Sequence, residues 1–84
     1  MNIGSYYLVN IRKIDSNYEG YMIIRIDGIT NCGGYRYTVI KSQEGYYHES
    51  TGHTSSFEKT SLFHKSCSEI DYPTNDENIL AYLL

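Results

Sequence analysis

The sequence predicts a small α+β domain, mostly β: an antiparallel sheet of four to five strands, arranged as a meander or a partly open barrel, with one short C-terminal helix. Three observations predict it. Stretches rich in tyrosine, isoleucine and valine alternate with clusters of glycine, asparagine, aspartate and serine, the punctuation of strands and turns. The chain has 84 residues, which is one domain, residues 1–84. A capped segment with helical periodicity occurs only near the C-terminal end.

Residues 5–14, Ser-Tyr-Tyr-Leu-Val-Asn-Ile-Arg-Lys-Ile, carry the aromatic and β-branched content of a first strand. Residues 15–20 are turn chemistry, with Gly20 able to take positive φ. Residues 21–29 form the second strand, and residues 30–34 a second turn with Gly33 and Gly34 as turn glycines. Residues 35–41 form the third strand, residues 42–45 a third turn, and Tyr46 to about Ser50 a fourth strand. Residues 50–56 read as a polar loop. In residues 57–70, Leu62, His64 and Ser66 alternate with Phe63, Lys65 and Cys67, which favours a strand. Thr74-Asn75-Asp76-Glu77 is a capping box, and Pro73 stops helix from extending upstream. Ile79, Leu80 and Leu83 then share a helical face. So short a helix must dock on the sheet.

Turn positions predict a register. A first turn centred between Asn17 and Tyr18 sets Val9 opposite Ile26, Ile11 opposite Ile24 and Lys13 opposite Met22. A second, centred on Cys32, sets Ile40 beside Ile24. One face then carries Val9, Ile11, Met22, Ile24, Ile26 and Ile40 as a core. The other carries Leu8, Asn10, Ile23, Arg25, Asp27, Ile29, Tyr35, Tyr37 and Val39. A slip of one residue would exchange the faces. Because the second face is half apolar, it too needs a cover: the helix, a curled sheet, a dimer or a partner.

Charge narrows the function classes. Lys and Arg number 7 and Asp and Glu 10, for a net charge of −3. Arg12-Lys13 is the sole adjacent basic pair, which argues against nucleic acid as a partner. Arg12, Arg25, Arg36 and Lys41 do interleave with Tyr21, Tyr35 and Tyr37, which keeps a single-stranded nucleic-acid-binding small barrel as an alternative. No stretch approaches the ~20 apolar residues of a membrane helix. Residues 1–5 lack a signal-peptide pattern, which points to the cytoplasm and to two free thiols, Cys32 and Cys67.

Motifs that carry chemistry are few. His48, His53, His64 and Cys67 have the ligand types and spacings of a tetrahedral zinc site, so a zinc-stapled domain is an alternative to a cofactor-free one. Ser55, Ser56, His53 and Glu49 cluster in sequence without a nucleophile elbow. Asp15, Glu19, Asp27, Glu44 and Glu49 sit mostly at turns, where carboxylates are simply solvated. No phosphate-binding glycine loop occurs. The expectation is a protein that is not an enzyme.

The outstanding count is ten tyrosines against two phenylalanines and no tryptophan. An AT-rich coding sequence enriches tyrosine together with asparagine, isoleucine and serine, so the count alone defines no site. Tyrosine and arginine are nevertheless the residues that dominate contact surfaces. Tyr35, Tyr37, Arg25, Arg36, Tyr46 and Tyr47 are accordingly the expected partner-binding residues. On that expectation, Tyr37→Ala costs more than ~2 kcal/mol in binding while the domain stays folded. The leading expectation is a protein partner engaged by steric occlusion; a structural homodimer is a further alternative. In size, acidity, tyrosine content and lack of a catalytic signature, the chain resembles the small accessory proteins of bacteriophages. Many of these block a host protein, anti-CRISPR and anti-restriction inhibitors among them, and the resemblance implies action in the host cytoplasm.

Overall fold

The computed structural model describes residues 1–43 and 51–81. Five antiparallel strands form one open sheet: β1 (Tyr6–Asn10), β2 (Tyr21–Ile29), β3 (Tyr35–Ser42), β4 (Thr54–Phe57) and β5 (Cys67–Ile70). Their order is β4-β3-β2-β1-β5. Among the described residues, two short α-helices accompany the sheet, α1 (Leu62–Lys65) and α2 (Glu77–Ala81). The domain is mostly β and its sheet antiparallel, as the turn spacing predicts; of the two predicted arrangements, meander and partly open barrel, the sheet is open. The predicted fourth strand at residues 46–50 lies outside the described residues.

The first strand is half as long as predicted. Asn10 Oδ1 accepts from the Arg12 amide at 3.2 Å and caps a 3₁₀ turn, Ile11–Lys13. That turn shifts the hairpin by four residues, so Val9 faces Met22 and Tyr7 faces Ile24. Four is an even number, and the faces survive the shift.

The second hairpin keeps the predicted register at both ends, where Met22 faces Ser42 and Ile29 faces Tyr35. Between them, Asp27 of β2 and Ile40 of β3 have no opposite number; each is a bulge. The rungs enclosed are displaced by one, pairing Ile24 with Val39 and Ile26 with Tyr37. The odd-numbered residues of β3 thereby join the core face. Tyr35, Tyr37 and Val39 are buried, and Ile40, expected in the core, is only half-buried and does not pack against it.

The core cluster is Tyr7, Val9, Ile11, Met22, Ile24, Ile26, Tyr35, Tyr37, Val39 and Phe57, with Met1, Ile14, Phe63 and Cys67 packed against it. Its cover comes from residues 57–70, which are not one strand. They supply the last residue of β4, then α1, then β5. Ser61 is the reason: its hydroxyl accepts from the His64 amide at 3.2 Å and starts a helical turn. Phe63, on that turn, stacks on Phe57 at 4.5 Å between ring centroids and lies 5.0 Å from Tyr37.

On the other face, the C-terminal segment packs beside β1 and the start of β2. Ile23 lies outside the core cluster and is still fully buried. The Tyr72 ring sits 5.3 Å from that of Tyr6, and Ala81 of α2 lies beside Asn10, Tyr21 and Gln43. The cap of α2 differs from a capping box. Thr74 Oγ1 accepts from the Asp76 amide at 3.0 Å, and Asp76 Oδ1 accepts from the Asn78 amide at 2.9 Å, so Asp76 caps the helix. Leu83 lies outside the described residues.

Candidate functional site

The bulge in β2 divides the predicted contact residues between two faces. Tyr37 is 2% exposed and Tyr35 8%, both within the core. Arg25 is half-buried and Arg36 exposed, both on the opposite face. The four therefore do not form one surface, and the two tyrosines act as core residues. Tyr46 and Tyr47 lie outside the described residues.

A polar cluster gathers around Asp27, the extra residue of β2. Arg25 Nε donates to Asp27 Oδ1 at 2.8 Å, and the Thr38 hydroxyl donates to Asp27 Oδ2. Arg36 lies across Gly28, where a Cβ would collide with its guanidinium. Beside this cluster is a shallow depression of about 460 Å³, lined by Asp27, Thr30, Arg36, Tyr37, Thr54, Ser55 and Ser56. Arg36 is in register with Ser56, and Thr38 with Thr54, so these side chains share a face. An aspartate followed by glycine inside an apolar strand is the sequence signal for such a bulge.

Electrostatics hold the cluster together. Partial burial pushes the Asp27 carboxyl up, but the Thr38 and Arg25 hydrogen bonds, with the charges of Arg25 and Arg36, outweigh it and hold it below 3.8. The Asp27 bonds and charge in turn push the Arg25 guanidinium up. A carboxyl lowered on folding stabilises the fold above its unfolded value, and that stability fades as pH falls through the folded value. Asp27→Asn should accordingly lower the melting temperature at neutral pH. The difference should shrink steadily below about pH 4 in thermal melts. A difference independent of pH would assign the effect to packing instead.

Of the histidine and cysteine set, the described members His53, His64 and Cys67 are not brought together. His53 is exposed, and its carbonyl accepts from the Val39 amide at 2.8 Å. His64 stacks on Tyr35 at 5.9 Å, and the Cys67 thiol donates to the Phe63 carbonyl at 3.2 Å. His48 lies outside the described residues. Among the described residues, no three His, Cys, Asp or Glu side chains are grouped as a metal site.

Both cysteines are free, and they differ in exposure. Burial pushes the Cys67 thiol up to about 12, whereas Cys32 is exposed in the turn before β3. Iodoacetamide at mildly alkaline pH should alkylate Cys32 and spare Cys67 until denaturant is added, as read by intact mass and peptide mapping. Equal labelling of both in the folded protein would contradict the burial of Cys67.

Among the described residues, no helix is long and apolar enough to cross a membrane. Comparison of the chain with protein-family models, with curated proteins and with solved structures finds no match.

Proposed function

We infer that this chain is a non-enzymatic protein-binding module that works by occluding a functional surface of its partner. The observation that carries this reading is the division of β3. Its alternate aromatics fill the core, while Arg36 and Thr38 stand with Arg25 and Asp27 on a hydroxyl-rich face beside the sheet edge. Arginine held beside a shallow depression is a typical anchor of protein contacts. Size, acidity and tyrosine content support one version of the reading, a phage-type inhibitor of a host defence protein. Two cysteines without a disulfide suit a reducing cytoplasm.

The test is capture from a bacterial lysate on the immobilised chain, with free chain as competitor and quantitative mass spectrometry as readout. The expected result is a protein that is retained, released by free chain, and inhibited when the chain is added to it. Retention that free chain never competes away removes the proposal.

A further inference from the structure

We propose that the edge of β4 and the depression beside it receive an extended segment of a partner protein bearing a carboxylate, which adds a strand to the sheet and sets its Asp or Glu side chain on Arg36. This inference rests on the protein-binding role above and names the chemistry of the partner.

The two edges of the sheet are unlike. β5 contains Glu69 and is followed by Asp71 and Pro73, residues that discourage strand pairing. Glu69 is in turn held by Tyr7 at 3.1 Å and Asn2 at 3.2 Å. The β4 edge, Thr54-Ser55-Ser56-Phe57, carries neither charge nor proline. An antiparallel edge offers outward amides and carbonyls at every second residue. So short a strand presents few of them, and a guest strand needs a side-chain anchor as well.

Arg36 supplies that anchor. Among the described residues, Arg12 pairs with Glu19 at 2.9 Å and Arg25 with Asp27 at 2.8 Å, while Arg36 has no ion-pair partner. Both oxygens of Asp27 are already held, by Arg25 and Thr38. The guanidinium rests over Gly28, a seat made by the missing side chain. Its forked donors match a carboxylate, and Thr54 and Ser56, in register with Thr38 and Arg36, line the same depression. The chain as a whole is negative, at −3. Two arginines against one aspartate make this place locally positive, so an acidic segment is drawn here and repelled elsewhere.

The probe is a short capped threonine-valine peptide with one central glutamate, titrated into isotope-labelled protein and followed by amide and guanidinium resonances. Shifts should centre on Thr54, Ser55, Ser56 and the Arg36 Nε. Exchanging the glutamate for glutamine, or Arg36→Gln, should weaken binding about tenfold. Arg36→Lys should recover part of it. Gly28→Ala, which unseats the guanidinium and keeps its charge, should weaken it too. Arg36 is exposed and its charge is the smallest of the influences that lower Asp27, so its variants should stay folded and melt close to the wild type. The proposal falls if glutamate and glutamine peptides bind equally, if the shifts centre elsewhere, or if none appear at millimolar peptide. It also falls if inorganic phosphate alone produces the same shifts more tightly, because the place is then an anion site and not a strand site. Failure of the peptide with lysate capture intact removes the acidic-strand site and leaves the protein-binding role. Peptide binding without lysate capture does the reverse.

Discussion

Tyr37→Ala should destabilise the domain by about 3–5 kcal/mol, the range for truncating a buried aromatic. The ring is 2% exposed and sits 5.7 Å from Phe57 and 5.0 Å from Phe63, tying β3 to β4 and to α1. A domain of this length has only about 4–13 kcal/mol in total, so the variant should lose a large share of its stability and its urea midpoint should fall accordingly. Tyr37→Phe keeps the ring and should cost about 1 kcal/mol. Urea titrations of the two variants decide the matter. If Tyr37→Ala keeps the wild-type midpoint, the ring is not part of the core. That result would return it to the contact-surface role suggested by composition.

Gly34→Ala should cost about 1–3 kcal/mol or more through overpacking. Gly34 is buried, and its amide donates to Thr30 Oγ1 at 2.9 Å. A Cβ there would meet the carbonyl oxygen of Phe57, which is backbone and cannot swing aside as a side chain does. The strain must move β4 itself. A melting temperature lower by roughly 4–8 °C per kcal/mol is expected for a domain of this size. Hydrogen exchange should show β4 opening before β1 and β2. Gly33→Ala is the control: Gly33 has φ of 80° and open space around it, so its cost of about 1–2 kcal/mol is purely conformational and leaves β4 protected. Equal exchange in the two variants would show that the contact between Gly34 and β4 carries no energy.

Much of the fold was legible because strand and turn residues punctuate the chain so regularly. The assignment of Val9, Ile11, Met22, Ile24 and Ile26 to one face holds, even though the first hairpin shifts by four residues. What could not be read was a single-residue effect. Two bulges displace the central rungs of the second hairpin, and parity then sends Tyr35, Tyr37 and Val39 inward. Turn position alone does not reveal this; Asp27-Gly28 inside an apolar run marks only the first of the two bulges. The short helix α1 was hidden for a different reason. One helical turn has no periodicity to detect, and only Ser61 as its cap marks it. Of the candidate site, Arg25 stays on the outer face, and Arg36, which the predicted register set on the side of Ile40, joins it there. Their tyrosine partners do not, because a thin core in a small domain draws in large rings.

The bulges at Asp27 and Ile40 also give the central strands slack. Either residue could be dropped and every side chain beyond it would keep its side, because the rungs on both flanks are already aligned. Curvature is what would be lost. A bulge bends its strand and sharpens the local twist, so one on each of two adjacent strands coils the sheet around the aromatic rings beneath. An open sheet of five strands in this way encloses a core that a flatter sheet of the same length would leave uncovered at its margins.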